Sequence, residues 1–158
     1  MEFKKYVSLE NTYRQATINK IIDSGLSGDL WQVTEKIHGA NFSFWYNGYD
    51  DIRVASRTQF VDGTFFNCQS VINKHMDAVI VMFNLLNLTI GDTLTVYGEL
   101  YGANVQKEVY YGEGKDFTAF DIKVNGLYQN TTEVERLCKD AGLPHAPVLD
   151  VLSFEKAL

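Results

Sequence analysis

The stretch Thr34–Phe42 reads TEKIHGANF, and it decides how the rest of the chain is interpreted. Successive side chains of a β-strand point to opposite faces, so an extended segment would place Lys36 and His38 on the same face. Gly39 follows directly, and a glycine permits a sharp bend or a close approach of the backbone to a ligand. The stretch therefore places the amine of Lys36 and the imidazole of His38 directly before a glycine, at which the backbone can bend.

Lys36 has apolar neighbours in the sequence, among them Val33, Ile37 and Phe42. Burial among such residues removes water from the ammonium group, lowers the pKa of the lysine and makes the free amine a nucleophile. The alternative is a surface lysine on an edge strand, beside a histidine that faces the core. The spacing alone favours this alternative, because most Lys-x-His triplets carry no chemistry.

The composition limits the class of protein. The 158 residues, 46% of them apolar, are enough for one domain with its own core. The net charge of −6 excludes a uniformly basic nucleic-acid-binding domain, so a polyanionic substrate needs a local basic patch. Cys68 and Cys138 stand alone in the sequence, which argues against a disulfide framework or a zinc site. The N-terminus lacks a secretory signal, and the longest apolar stretch, Asp77–Leu86, is too short to cross a membrane.

The hydrophobic pattern predicts alternating strands and helices, because helical spacing and strand-like apolar runs are separated by turn signals. The predicted helices cover residues 11–24, residues 66–87 and a segment capped by Thr131 or Thr132 that ends near Gly142. The predicted strands are two pieces of residues 30–46 around a bend at Gly39, then residues 52–58, 93–101, 117–124 and 148–152. Strands joined by hairpins, with helices between them, indicate an α+β fold with mainly antiparallel sheets.

Three further segments carry polar or aromatic groups on predicted strands. Arg57 closes a strand together with two hydroxyl side chains, a set suited to phosphate or ribose oxygens. Glu99 shares a face with the tyrosines two residues before and after it, and Gly98 is expected to leave open space on the opposite face. A carboxylate so placed suits ribose hydroxyls or a hydrated Mg²⁺. Phe120 is placed to stack on a base, with Asp121 facing the other way.

In this order, the segments resemble the motifs of the covalent nucleotidyltransferase superfamily, which contains the ATP-dependent ligases and capping enzymes. The Lys-x-His-Gly form of the first motif, in place of Lys-x-Asp-Gly, is typical of the RNA ligase 2 family of T4-like bacteriophages. The resemblance implies the catalytic-domain fold of these enzymes, with antiparallel sheets and flanking helices, incomplete at its C-terminus. The segments that carry it are Phe3–Asn11, Lys36–Gly39, Ser56–Thr58, Tyr97–Leu100, Val105–Lys107 and Phe117–Ile122.

The resemblance implies an ATP-dependent RNA ligase. In that chemistry a lysine takes AMP from ATP, the AMP passes to an RNA 5′-phosphate, and a 3′-hydroxyl displaces it to join the ends. Lys36 is the implied nucleophile, and His38 is implied to act near the phosphate. The implied nucleotide-binding residues are Glu35, Ile37, Gly39, Asn41, Arg57, Glu99 and Phe120, with Phe120 stacking on adenine. Further implied contacts to RNA or phosphate are Tyr6, Gln106 and Lys107.

The same resemblance implies ATP and Mg²⁺ as cofactors, with Mg²⁺ held mostly by ATP phosphates and water and with Glu99 as a helper. The implied partners are RNA ends or a nicked RNA duplex, without a membrane. The implied location is the cytoplasm, that of the host cell if a phage encodes the chain. A DNA ligase or a guanylyltransferase is a related alternative, against which His38 argues. A structural domain with coincidental motifs ranks behind all of these.

The sequence also departs from the family pattern. Thr34 and Ser56 stand where the phage family often has arginine and lysine, which removes positive charge. Residues 122–158 contain no Glu-Gly-x-Val or Lys-x-Lys motif, so the resemblance makes residues 1–158 a single, truncated adenylyltransferase domain. Two explanations stay open: a ligase fragment that a C-terminal polypeptide completes, or a short pseudo-ligase that binds nucleotide or RNA ends. Without the distal lysines, self-adenylylation is expected to be weak or absent.

Overall fold

The computed structural model describes residues 1–158 as two compact units, of which the first holds residues 1–6 and 37–146 and the second residues 7–36 and 147–158. The helices are α1 (Gln15–Asp23), α2 (Gln69–Leu85), α3 (Thr131–Ala141) and α4 (Phe154–Ala157). The strands are β1 (Leu30–Thr34), β2 (Ala40–Tyr46), β3 (Arg53–Ala55), β4 (Phe60–Val61), β5 (Leu94–Gly102), β6 (Lys115–Val124), β7 (Leu127–Tyr128) and β8 (Val148–Ser153).

The first unit is built on a six-stranded antiparallel sheet with the strand order β4-β3-β2-β5-β6-β7. Alternation along β2 and β5 turns Phe42, Phe44 and Val96 to one face, where each of them is fully buried. Helices α2 and α3 cover this face, and Met82 and Leu137 join the same apolar core. Removal of this apolar surface from water is the main stabilising contribution to the unit.

The opposite face of the same sheet carries a second cluster of aromatic side chains. Tyr6, Trp45 and Tyr97 are its buried members. The first residues of the chain lie on this face, because the Phe3 ring centroid is 5.8 Å from that of Trp45 and 5.4 Å from that of Phe60. The Tyr6 ring is 4.8 Å from Tyr97. The N-terminal segment Met1–Tyr6 therefore closes part of this face with aromatic packing.

The second unit contains a two-stranded antiparallel sheet of β1 and β8. A sheet of two strands is at best marginally stable alone, so the packing of helices against it matters. The Trp31 ring lies 5.3 Å from Phe154 of α4, and its Nε1 donates to the carbonyl of Leu26 at 3.1 Å. These contacts hold α4 and the segment around Leu26 against β1.

The predicted α+β fold with antiparallel sheets is confirmed, with shifts at the ends of several elements. The first helix begins at Gln15 and not at residue 11. The long helix begins at Gln69 and not near residue 66, because Phe66 and Asn67 adopt left-handed backbone conformations. The predicted threonine cap of α3 is wrong. Asn130 is the cap, and its side-chain oxygen accepts the N–H of Glu133 at 2.9 Å.

The predicted pair of strands around Gly39 needs a correction of another kind. β1 ends at Thr34, β2 begins at Ala40, and the two strands belong to different sheets, since β1 pairs with β8. Residues 35–39 form no strand. Lys36 and His38 therefore lie outside any strand, and the prediction that alternation places them on one face is wrong.

Both cysteines are buried and form no disulfide. Burial raises the pKa of the Cys68 thiol and raises that of Cys138 to about 12. Thiols of this kind are poor nucleophiles and poor metal ligands, because the thiolate is the reactive form. No helix of the chain combines the length and the apolar character that crossing a membrane requires.

Candidate functional site

Three central strands of the first unit place polar side chains side by side on the face opposite the helices. Asn41 of β2 pairs with Glu99 of β5, which pairs in turn with Thr118 of β6. Opposed side chains of an antiparallel sheet share a face, with Cβ atoms roughly 4.5–5.5 Å apart. Asn41 and Glu99 are half-buried, so the sheet holds them while they still reach solvent. The structure thus brings together two of the predicted site residues.

Phe120 lies beside this row because β6 contains a bulge. The pairing of β5 with β6 shifts between Tyr97 and Gly98, which leaves Phe120 as the extra residue. A bulge interrupts the alternation of side chains along a strand. Tyr6 contacts both Phe120 and the next residue of the strand, Asp121. The Tyr6 ring lies 5.5 Å from the Phe120 ring, and the Tyr6 hydroxyl donates to Asp121 at 2.7 Å. The prediction that Asp121 faces away from Phe120 is therefore wrong.

The hydrogen bond from Tyr6 to Asp121 is formed in partly desolvated surroundings. Burial raises the pKa of Tyr6, and the bond to Asp121 raises it further, so the hydroxyl stays a donor. Burial also raises the pKa of Asp121, although the bond from Tyr6 opposes this effect. Burial raises the pKa of the adjacent Tyr97 to about 12, and the buried hydroxyl of Tyr97 has no hydrogen-bond partner in the structure.

Two glycines allow other backbone segments to approach the central strands closely. A Cβ atom on Gly39 would overlap the carbonyl oxygen of Leu100, so only a glycine fits the turn into β2. The close approach predicted at Gly39 is to this strand. A Cβ atom on Gly98 would overlap the Thr118 carbonyl and the Phe117 ring. The prediction of open space beside Gly98 is wrong, because the Phe117 ring fills it.

Lys36 ends the first segment of the second unit and has an exposed side chain. The preceding residue, Glu35, is also exposed, and its N–H donates to the carbonyl of Pro147 at 2.9 Å. The exposed side chain agrees with the surface lysine that the spacing alone favours and not with a desolvated amine, because the apolar neighbours of Lys36 in the sequence do not bury it. An exposed amine is accessible to a ligand.

Ile37 and His38 begin the second segment of the first unit, half-buried and exposed respectively. The backbone N–H of His38 donates to the hydroxyl of Tyr111, 73 residues away, at 3.1 Å. Tyr111 belongs to the irregular loop between β5 and β6, and its ring packs edge-on against Tyr101 at 5.1 Å. The motif backbone is therefore bonded to this loop within the first unit.

Arg57 lies in the turn between β3 and β4, because β3 ends at Ala55 and not at Thr58 as predicted. The turn is held by a bond from the N–H of Ser56 to the carbonyl of Gln59 at 2.9 Å and by a bond from the N–H of Thr58 to the Ser56 hydroxyl at 3.3 Å. Arg57 itself is exposed. Its guanidinium is thus displayed on a well-defined turn.

The three further residues implied in RNA or phosphate contact have different surroundings. Tyr6 is only 4% exposed, and its hydroxyl is bonded to Asp121. The side-chain amide of Gln106 donates to the carbonyl of Val109 at 2.5 Å and accepts its N–H at 2.9 Å, so it bonds within its own loop. Lys107 is exposed and presents its ammonium group to solvent.

Glu99 is the carboxylate of this site that could help to hold a divalent metal. The chain contains no group of three or more His, Cys, Asp or Glu side chains that could hold a metal ion. Mg²⁺ usually keeps several waters and is bound through one or two carboxylates together with substrate phosphates. Glu99 with its neighbour Asn41 fits that pattern, in which the nucleotide supplies most of the ligands.

Sequence reasoning missed several residues that shape this region. Tyr111 lies in an aromatic, glycine-containing loop, but nothing in the spacing links it to His38. His75 of α2 is buried and bonds Asp116 at 2.5 Å, while Lys74 bonds the other oxygen of Asp116 at 2.6 Å. The only sequence signal for this pair was a histidine within an apolar helical stripe.

Comparison with known families matches the RNA ligase model to residues 29–158. The chain belongs to the RNA ligase family. Among the relatives of this family member is the mitochondrial RNA-editing ligase 1 of Trypanosoma brucei brucei. The two are 27% identical over 111 residues, which cover 65% of this chain and 24% of the relative.

Solved RNA ligase structures share the fold of this family member. A lysine-to-methionine variant of the Naegleria gruberi RNA ligase, with AMP and Mn, matches with a TM-score of 0.74 and 25% identity over 96% of this chain and 45% of that one. The same ligase with PPi matches with a TM-score of 0.69 and 26% identity over 86% and 41%. The chain thus spans less than half of these solved relatives and about a quarter of the curated one.

Proposed function

We propose that this RNA ligase family member carries the nucleotide-transfer site of an ATP-dependent RNA ligase, with Lys36 as the acceptor of AMP. The observation that carries the proposal is the placement of Asn41, Glu99 and Phe120 on one face of the central sheet. An amide, a carboxylate and an aromatic ring are the groups that a ribose and a purine base require. Bound AMP and PPi in the solved Naegleria relatives support nucleotide transfer as the chemistry.

The proposed reaction has three balanced steps. The free amine of Lys36 attacks the α-phosphorus of ATP, the bond to the pyrophosphate oxygen breaks, and the lysine nitrogen loses a proton as the phosphoramidate forms. The 5′-phosphate of an RNA then displaces the lysine and takes the AMP. A 3′-hydroxyl finally attacks that 5′-phosphate, AMP leaves, and a phosphodiester joins the ends. Each step needs in-line positioning and compensation of phosphate charge.

In this proposal Phe120 stacks on adenine, and Asn41 and Glu99 bond ribose or phosphate oxygens. Arg57 on its turn binds phosphate, since a guanidinium bonds two oxygens at once. Two groups of residues complete the proposal: Glu35, Ile37 and Gly39 border the base, and His38, Lys107, Tyr6 and Gln106 act near the phosphates or the RNA. Glu99 would contribute a ligand to Mg²⁺, which when bound offsets negative charge on the transferring phosphate.

The finer assignments belong to the same proposal. The substrates are RNA ends or a nicked RNA duplex, and the chain derives from the branch of T4-like bacteriophages, with a cytoplasmic location. The histidine of the first motif supports that branch. A C-terminal polypeptide that supplies the Glu-Gly-x-Val and Lys-x-Lys strands completes the adenylyltransferase domain to which residues 1–158 contribute.

A second candidate function has its own supporting observation. Residues 122–158 hold neither of the two distal motifs, and Lys123, Lys139 and Lys156 do not form a Lys-x-Lys pair. Residues 1–158 taken by themselves therefore offer few cations to a triphosphate, which disfavours the transfer step more than nucleotide binding. For these residues alone, the second candidate is a pseudo-ligase module that binds nucleotide or RNA ends without joining them.

Intact-mass measurement distinguishes the two candidates. The chain is incubated for hours with ATP and Mg²⁺, beside Lys36→Ala and the matched control Lys20→Ala, an exposed lysine on α1. The ligase proposal predicts slow addition of AMP to the wild type and to Lys20→Ala but not to Lys36→Ala. Tight binding of ATP with no covalent AMP would support the pseudo-ligase instead. The labelled chain is then incubated with nicked RNA or nicked DNA, which distinguishes an RNA ligase from a DNA ligase. A parallel incubation with GTP in place of ATP tests for a guanylyltransferase.

A further inference from the structure

The loop between β5 and β6 forms a hydrogen bond with the backbone of the Lys36–Gly39 motif. The hydroxyl of Tyr111 accepts the N–H of His38 at 3.1 Å. His38 lies outside any strand, so this amide has no partner in a ladder. The next two residues, Gly39 and Ala40, are fixed against Leu100 of β5. Tyr111 therefore restrains the part of the motif that the sheet does not.

Tyr111 is itself held on both sides. Its ring packs edge-on against Tyr101, which follows Glu99 by two residues on β5 and so shares its face. The base of the loop is closed by a bond from the N–H of Ala103 to the carbonyl of Gly114 at 3.0 Å. Gln106 bonds both backbone groups of Val109 inside the loop. These hydrogen bonds within the loop hold the backbone around Tyr111 in place.

The loop also encloses an open cavity of about 540 Å³. The charged residues that line the cavity are Lys107 and Glu113, so the lining carries no net charge. A lining without net positive charge does not by itself concentrate a ligand rich in phosphate. The role of the loop is better sought in the backbone that Tyr111 contacts than in the cavity.

We infer that Tyr111 is a positioning residue, which fixes the backbone two residues after Lys36 for the transfer of AMP. This inference rests on the proposed function. Tyr111 touches neither nucleotide nor the reacting atoms in this account, and it acts through the amide of His38. Pre-set geometry of a nucleophile accelerates a reaction because less motion must be frozen out in the transition state.

The test compares Tyr111→Phe with the matched control Tyr110→Phe. Phenylalanine keeps the ring that packs on Tyr101 and removes only the hydroxyl, while the neighbouring Tyr110 has an 81% exposed side chain. The single-turnover rate constant of AMP addition is measured by intact mass at saturating and at limiting ATP. Hydrogen exchange of the His38 amide is followed by NMR in all three proteins.

Tyr111→Phe is expected to lower the rate constant about three- to tenfold, the range that one net hydrogen bond supplies. The ATP concentration for half-maximal rate should stay the same, and the His38 amide should exchange faster in this variant alone. A purely structural role would reduce the fraction of chain labelled without changing the rate constant. A Tyr111→Phe protein with the wild-type rate constant, or with unchanged His38 exchange, would overturn the inference alone. A wild-type chain that never takes AMP would overturn the proposed function, and this inference with it.

Discussion

Replacing Tyr6 by phenylalanine should destabilise the first unit, and the loss should depend on pH. The Tyr6 hydroxyl donates to Asp121 at 2.7 Å, between residues 115 positions apart, so the bond ties the N-terminus to the bulged strand. The aromatic contacts of Tyr6 with Tyr97 and Phe120 survive the substitution. The change therefore isolates one hydrogen bond to a carboxylate.

The expected magnitude follows from the surroundings of that bond. A hydrogen bond to a charged group contributes about 1.5–3 kcal/mol. Asp121 is half-buried, so water partly replaces the lost donor, and a loss of about 1–2 kcal/mol is expected at pH 7. For a chain of this length, that loss lowers Tm by roughly 2–8 °C.

The sign of the pH dependence comes from Asp121. Burial raises the pKa of this carboxyl in the folded chain, although the bond from Tyr6 opposes the rise. The stability that this raised pKa contributes is therefore fully present below the unfolded pKa of Asp121 and is lost as pH rises through the folded one. Removal of Tyr6's hydroxyl raises the folded pKa further. The difference in the free energy of unfolding between the wild type and Tyr6→Phe is then largest at neutral pH, and it shrinks as acid protonates Asp121.

Urea unfolding at neutral and at acidic pH measures this difference, with Tyr49→Phe as the control, since Tyr49 is 79% exposed. The control should stay within about 0.5 kcal/mol of the wild type. Equal midpoints for Tyr6→Phe and Tyr49→Phe at pH 7, or a loss that grows in acid, would refute the reasoning.

Three other substitutions have defined outcomes. Gly98→Ala should lower the free energy of unfolding by about 1–3 kcal/mol in a thermal melt, because the added Cβ atom would overlap the neighbouring strand. The control Gly28→Ala should lower it by less than about 1 kcal/mol, because nothing lies within 4 Å of a Cβ atom at that position. Burial raises the pKa of Asp116, but the hydrogen bonds from Lys74 and His75 outweigh burial, so the pKa is lowered in the folded chain. Asp116 therefore stabilises the wild type above its unfolded pKa, and this stabilisation is lost as pH falls. Asp116→Asn should lack that acid-dependent part in melts recorded across the acid range. Asn130→Ala removes the cap of α3 and should lower the free energy of unfolding by about 1 kcal/mol, measured by urea titration followed by circular dichroism.

Local signals predicted much of the fold because they act over short distances. The apolar spacing around Val79 and Phe83 indicates α2, and both residues are buried. The pair Asn125 and Gly126 predicts a hairpin, and both have positive φ in the turn between β6 and β7. These features need only neighbouring residues to be specified.

Long-range pairing is what the sequence could not reveal. The irregular backbone at Lys36 follows from the pairing of β1 with β8, strands near opposite ends of the chain. The bulge that brings Phe120 and Asp121 to one side comes from a register shift against β5. Motif order, in contrast, predicted Asn41 and Glu99 as site residues, and the regular strands β2 and β5 pair them across the sheet.

The central claim is that Lys36 accepts AMP, and peptide mapping of the chain after incubation with ATP and Mg²⁺ tests it most directly. The phosphoramidate is acid-labile, so the chain is digested at neutral pH and the modified peptide is located by mass. The account predicts AMP on the peptide that contains Lys36 and its complete loss in Lys36→Ala. AMP on any other residue, labelling that persists in Lys36→Ala, or a wild-type chain without AMP would contradict it.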